Sequence, residues 1–339
     1  MGIYRCNTCG YLAEVANEAV GSNPACPKCT RANPVYDTTF FVSKVLEKYF
    51  ALRTAHQQIQ AELDSPESLG SAESKAAPAS VPAAETRLDG IDLHNTNLLS
   101  TPDQHRPIED WFAAKKIAVK FNHRAIDTSG FYDEAAIMIG RDLDFYGPVL
   151  DKIRFAQTRG FNQVYVPLDK CSQKEGQAIA AFCRKLYEYS FLAKCFHQKD
   201  ERQLRLLLQT APQIRDFFAG EWLEWFVLME VLELCQQGRI AFSCARNLSV
   251  SFPNEDLHEL DLFWLVNADR PVCIECKTGE FRSLITKYSG LRKRLGLTKE
   301  QFVLCVAGLP DDQASGLSSM YDITLTSERG LKAHLASMI

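Results

Sequence analysis

Two apolar runs late in the chain, Glu259–Val266 (E-L-D-L-F-W-L-V) and Val272–Cys276 (V-C-I-E-C), constrain the fold more than any other feature. Both keep apolar residues at odd and even positions, the pattern of a strand buried on both faces. The turn residues N-A-D-R-P between them join the two as neighbours. An apolar helix over Glu221–Gln236, ended by Gly238, and a strand over Ile240–Val250 precede them. A helix over Phe281–Leu295 and strands over Phe302–Ala307 and Asp322–Thr326 follow. This order predicts an α/β domain in which three antiparallel strands are followed by a helix that crosses over to a strand of the same sheet.

Charges in buried strands need a metal or a partner, yet Asp261 and Glu275 lie within these two. Side chains alternate along a strand, so Glu259 is expected to share a face with Asp261, and Glu275 with Lys277 at a spacing of about 7 Å. Pairing of the strands brings Asp261 opposite Glu275, and Glu224 on the preceding helix supplies a third carboxylate. Carboxylates with a backbone carbonyl, here that of Cys276, are the ligands Mg2+ or Mn2+ prefers. Such an ion polarises a phosphate oxygen and lowers the pKa of a bound water. Lys277 can orient or deprotonate that water, or stabilise charge developing on phosphorus. Glu224, Asp261, Glu275 and Lys277 are therefore the catalytic candidates, with Glu259 in support. The stretch Phe281–Lys299 is basic and contains no acidic residue, so Arg282, Lys287, Arg292, Lys293 and Arg294 are expected to meet nucleic acid. Cys273 and Cys276, three apart on a strand, point to opposite faces and do not form a metal or redox pair.

The N-terminal residues 1–38 hold Cys6-x2-Cys9 and Cys26-x2-Cys29, separated by sixteen residues. That spacing is typical of a four-cysteine zinc ribbon. Four thiolates suit tetrahedral Zn2+ at about 2.3 Å and leave no open position, so the metal is structural. A rubredoxin-like iron site uses the same ligands. Residues 39–63 read as an amphipathic helix with Val45, Tyr49, Leu52, His56, Ile59 and Leu63 on one seam, suited to packing on the ribbon or to a short parallel homodimer. Residues 64–106 are rich in Pro, Ala, Ser and Glu and poor in large apolar groups, which predicts a flexible linker.

In 107–218, strands are expected at Ile117–Phe121 and Gln163–Pro167, and helices at Tyr146–Arg159, Ser172–Tyr189 and Glu201–Phe218, the last kinked or broken at Pro212. Lys152, Arg154, Arg159, Arg202, Arg205 and Arg215 recur there, with Arg202 and Arg205 one helical turn apart. The segment carries no phosphate loop, no Rossmann glycine fingerprint and no Gly-x-Ser-x-Gly elbow. Its role is left open.

The chain has 339 residues, 46 % of them apolar, enough for two or three domains with substantial cores. A net charge of −4 means that nucleic-acid binding must rest on a local basic patch. With no apolar run of membrane-spanning length and no signal-peptide pattern after Met1, a cytoplasmic protein is expected. The remaining eight cysteines read as buried, reduced thiols.

Glu224, Asp261 and Glu275-x-Lys277 together resemble the PD-(D/E)xK nuclease superfamily over about residues 215–339. W-L-E, E-L-D and I-E-C-K-T look most like the nuclease domain of CRISPR-associated effectors activated by cyclic oligoadenylates. The resemblance implies a restriction-endonuclease-like mixed sheet over 219–339, Mg2+ or Mn2+ at the matching residues, cleavage of DNA or RNA, and a part in nucleic-acid defence. Leu260 stands where the motif's name has proline, and no Rossmann-like sensor domain is evident, so activation by a cyclic oligonucleotide does not transfer. The competing readings are a catalytically silent nucleic-acid-binding protein and an assembly adaptor working through residues 1–63.

Overall fold

The computed structural model describes residues 2–6, 11–39, 42, 99, 101–122, 130–198, 200–253, 257–267 and 269–339. The chain divides into two compact units, Met1–Ala79 and Ser80–Ile339. Most of the expected seam helix at 39–63 and most of the expected linker at 64–106 lie outside the described residues.

In the first unit, β1 (Gly2–Arg5) pairs antiparallel with both β2 (Leu12–Val15) and β3 (Val35–Asp37). Tyr4, Cys6, Cys26 and Val35 form its small core.

The second unit is an α/β body built on a six-stranded mixed sheet flanked by helices. The strand order is β12-β11-β10-β9-β8-β4. It comprises β4 (Ala118–Lys120), β8 (Phe242–Ser251), β9 (Leu257–Val266), β10 (Arg270–Lys277), β11 (Phe302–Val306) and β12 (Thr324–Thr326). β8, β9 and β10 form the expected antiparallel meander. β11 and β12 then join in parallel, each after a crossover helix. Asn267 carries the β9–β10 turn at φ 48°, a left-handed conformation that Asn tolerates better than most residues.

Helix α1 (Pro102–Ala113) and β4 belong to this same sheet layer, β4 pairing with β8. The expected linker therefore stops short of 106. Thr101 caps α1 by accepting the Gln104 N–H at 3.3 Å, and Pro102 occupies the first turn, where its missing N–H is harmless. After α2 (Phe131–Arg141) and α3 (Leu143–Thr158), a second, antiparallel sheet is ordered β5-β7-β6, from β5 (Gln163–Pro167), β6 (Leu192–Gln198) and β7 (Gln203–Leu208). Helix α4 (Gln173–Glu188) connects β5 to β6 and starts with a capping box of Ser172 and Glu175.

The helix expected at Glu201–Phe218 is instead β7 followed by a short helix α5 (Pro212–Asp216). Q-L-R-L-L-L alternates with period two, and Leu204, Leu206 and Leu208 are buried while the residues between them are half-buried. Leucine's helix propensity gives way to that packing. Arg202 and Arg205 consequently do not share a helix face: Arg202 sits in the preceding turn at φ 47°, and Arg205 Nε donates to Gln163 Oε1 at 3.0 Å. Pro212 starts a helix rather than breaking one.

Helix α6 (Trp222–Gly238) runs through the centre of the unit. It is apolar all round, and residues 135–208 and 222–335 share one continuous core around it. The boundary expected at 218/219 therefore cuts through packed side chains. Gly140 on α2 allows the close approach, because a Cβ there would overlap the Phe226 ring of α6. The helix closes not on Gly238 but on Arg239, whose backbone is left-handed at φ 50°. The sheet's other face is covered by α1 and α7 (Ile285–Leu295), with α8 (Asp311–Met320) and α9 (Glu328–Ala336) completing the body. Cys183, Cys235, Cys244, Cys273, Cys276 and Cys305 are buried free thiols, and Cys273 and Cys276 lie in the cores on opposite faces of the sheet.

Candidate active site

The candidate carboxylates meet where the central sheet comes apart. Pairing between β9 and β10 runs from Arg270↔Val266 to Ile274↔Leu262 and stops. Continuing that register would set Glu275 opposite Asp261. Instead the Asp261 side chain enters the gap, and its Oδ2 accepts the Cys276 N–H at 2.8 Å and the Lys277 ammonium at 3.3 Å. A strand residue directs its N–H and C=O to the same edge. The Cys276 carbonyl therefore points into the gap with its N–H, whereas the Lys277 carbonyl points the other way and accepts from Ala307 N at 2.9 Å.

The ladder on the other side of β9 is interrupted at the same level. Arg246↔Leu262 and Leu248↔Leu260 pair, and between them Asn247 adopts φ 52°. The strand alternation changes phase there. Phe242 and Cys244 pack towards α6, whereas Leu248 and Val250 pack on the opposite face; along β9, Leu262 and Leu260 part in the same way. Glu259 therefore does not share a face with Asp261 as plain alternation predicts. It turns towards Glu221, whose ionisation it opposes. A bulge-like break of this kind re-aims side chains at the point where the ladder is lost.

Glu224 reaches the gap from the first turn of α6. A π turn over Phe217–Glu221 precedes that helix and is anchored by the Thr278 hydroxyl, which donates to Ala219 O at 3.3 Å. Gly220 is needed in this turn, since a Cβ there would lie 2.8 Å from Thr278 Oγ1. Arg246 holds Glu224 through Nη1 at 2.9 Å from Oε2, and its guanidinium lies 3.8 Å from the Trp225 ring centroid.

The electrostatics call for a cation. Glu275 is 3 % exposed, and its Oε1 has no hydrogen-bond partner. Burial first, then the neighbouring Asp261 charge, raise its pKa well above the carboxylate range, against the offsetting Lys277 charge, Asp261 main-chain amide and Tyr288 hydroxyl. Glu224 is pushed up to about 8 by burial and by Asp261, with Arg246 opposing. Glu221 is also raised by burial. Lys277 moves upward overall: burial pulls its pKa down, but Asp261, Tyr288 and Glu275 together outweigh that. It is an ammonium at neutral pH. These oxygens, with the Cys276 carbonyl, fit a hard divalent ion. Among the described residues, Glu224, Asp261 and Glu275 do not close to within 4.8 Å of one another as a metal cluster would. Arg246 and Lys277 pair with two of these carboxylates, and like charges keep apart.

The expected basic surface is split. Arg282, Lys287, Lys293 and Arg294 are exposed, with Arg282 bonded to Glu280 and Arg294 stacked 3.7 Å from the Phe252 centroid. Arg292 is turned inward, bonded to Asp322 and, at 2.6 Å, to Leu297 O. Sequence reasoning missed Glu221, Arg246 and the break at Asn247, and gave Tyr288 no place in the site. The signal for Tyr288 was available: it lies on the helix after the Glu-x-Lys strand, on the turn that covers it.

In the first unit, the Sγ atoms of Cys6, Cys26 and Cys29 lie within 4.8 Å of one another, compatible with a metal. Cys6 Sγ and Cys29 Sγ are 3.4 Å apart. Cys9 lies outside the described residues. Among the described residues no helix is long and apolar enough to cross a membrane.

No protein-family model and no curated protein matches the chain. Among solved structures, the protein VC1899 of Vibrio cholerae aligns over 68 % of this chain and 60 % of its own, at 20 % identity and a TM-score of 0.46. Can2 of Sulfobacillus thermosulfidooxidans, in complex with cyclic tetra-adenylate, aligns over 68 % of this chain and 59 % of its own, at 15 % identity and a TM-score of 0.47. The alignments thus span about three-fifths of each of these neighbours.

Proposed function

We propose that the chain is a metal-dependent nuclease that hydrolyses phosphodiester bonds in DNA or RNA. The observation that carries this reading is the buried Glu275 carboxylate with one oxygen unpartnered, beside Asp261 and Lys277 at the point where β9 and β10 separate. Glu224, Asp261, Glu275 and the Cys276 carbonyl would hold Mg2+ or Mn2+. When bound, the ion supplies charge neutralisation at a phosphate oxygen and a more acidic water.

The chain's own residues do the rest. Lys277, held by Asp261, keeps its proton and lends a positive charge to the developing phosphorane oxygens. Its raised pKa favours that role over proton abstraction. Tyr288 lies beside this pair, with Lys277 Nζ 5.8 Å from its ring centroid, and its hydroxyl favours the charged forms of Lys277 and Glu275. Arg246 and Trp225 fix Glu224. The four-cysteine ribbon with Zn2+ at Cys6, Cys9, Cys26 and Cys29, and the segment 39–63 as a homodimer contact, complete the proposal. The resemblance of W-L-E, E-L-D and I-E-C-K-T to CRISPR-associated nuclease domains favours a role in nucleic-acid defence.

The test is incubation of the purified protein with circular single-stranded DNA, plasmid and RNA in Mg2+, Mn2+ or EDTA. Cutting that needs both the metal and Lys277 supports the reading.

A further inference from the structure

Two cavities that share Arg154 are lined mainly by the segment 107–218, which shows no chemistry of its own, and by Ala219, Trp222, Thr278 and Ala307. The inner one, about 200 Å³, is bounded by Trp222 and Thr278, and by Gly147 and Arg154 of α3. Thr278 follows Lys277 directly, and Trp222 lies between Glu221 and Glu224. The outer cavity, about 340 Å³, shares Arg154 and adds Gln157, Thr158, Arg215 and Asp216. Together they make a trough that starts at the end of β10 and runs along α3 past the π turn, each part of the order of a single nucleotide in size.

The donors in the trough are the kind that meet phosphate. Arg154 and Arg215 are exposed, from two elements far apart in sequence that converge on one cavity. Gln157 Nε2 is buried with no hydrogen-bond acceptor, an N–H group left for something the chain does not itself supply. Asp151, 2.8 Å from Arg154, and Asp216 are the opposing charges. A cation already partnered by one exposed carboxylate still exchanges readily for phosphate, because such surface pairs are worth little.

We propose that this trough seats the phosphodiester backbone of the single strand flanking the scissile phosphate, with Arg154, Arg215 and Gln157 as its phosphate contacts. The inference rests on the nuclease reading for its orientation. It gives residues 107–218 a role in substrate binding, distinct from the basic face of α7.

Fluorescence anisotropy of labelled oligothymidylate and oligouridylate tests it, in Ca2+ so that binding is read without turnover, across a salt series. The double variant Arg154→Gln/Arg215→Gln should bind at least tenfold more weakly than wild type. It should also show a log–log salt slope smaller by about 1.4, since each single-strand phosphate contact accounts for about 0.7. Both arginines are exposed, and unchanged Mn2+ binding by calorimetry checks that the carboxylate site is intact. An equal affinity and slope for variant and wild type would overturn the trough while leaving cleavage by the wild type, and the nuclease reading, standing. Binding lost in the variant, with a wild type that never cleaves, would support the trough and count against the nuclease. A wild type that binds neither oligonucleotide would overturn the trough directly.

Discussion

Glu224 makes a prediction whose sign depends on the metal. Its pKa stands near 8 in the folded chain because burial and Asp261 disfavour its charge, against an ordinary carboxyl value of 4.5. A folded pKa above the unfolded one means that the group's stability contribution is fully present below 4.5 and is lost as pH rises through about 8. Glu224→Gln is a neutral isostere of the protonated acid. Linkage then makes the metal-free variant more stable than wild type by about 4 kcal/mol at ~pH 8 and by less than about 1 kcal/mol at ~pH 5. The chain's four tryptophans, Trp111, Trp222, Trp225 and Trp264, all lie in the second unit, so urea unfolding followed by their emission reports that unit. In EDTA the variant's urea midpoint should exceed that of wild type at the higher pH, with nearly equal midpoints at the lower. Adding Mn2+ should narrow that gap at the higher pH, because a ligand at about a hundredfold its Kd stabilises the protein that binds it by about 2.7 kcal/mol. A variant less stable than wild type in EDTA at high pH would refute the account of Glu224 as an acid whose charge burial and Asp261 disfavour more than Arg246 favours it.

Two further outcomes follow from the geometry. Tyr288→Phe removes a hydroxyl that favours the charged forms of Lys277 and Glu275 and should slow cleavage about tenfold, or ~1.4 kcal/mol in the barrier, with little change in the urea midpoint. An unchanged rate would remove Tyr288 from the site. Chelation of the ribbon metal should release about one Zn2+ per chain, by a metallochromic dye, and leave the tryptophan-monitored midpoint unshifted, since the cysteine cluster lies in the other unit. A shifted midpoint would mean that the metal stabilises the second unit.

The strands around Asp261 and Glu275 were legible because apolar runs bounded by turn residues leave few alternatives. The Glu-x-Lys spacing on β10 followed from strand geometry alone. What was not legible depends on contacts distant in sequence. Asn247 breaks the alternation that put Glu259 beside Asp261, and a single Asn in R-N-L-S-V is too weak a signal to predict it. Arg246 reads as an ordinary strand residue until α6 brings Glu224 and Trp225 against it. The leucines of β7 suit a helix or a strand equally, and only the antiparallel neighbours β5 and β6 decide. α1 and β4, 122 residues or more before β8 and outside the apolar runs, joined the main sheet by pairings no local pattern announces.

The central claim is that the separated ends of β9 and β10 form a metal-dependent phosphodiesterase centre in which Lys277 supplies charge. Its most direct test is cleavage of circular single-stranded DNA and RNA by wild type and Lys277→Ala, in Mn2+ and in EDTA. The account predicts cutting by wild type in Mn2+ alone, and a loss of several orders of magnitude in a variant that still binds Mn2+. Equal cutting by the variant, or cutting by wild type in EDTA, would contradict it.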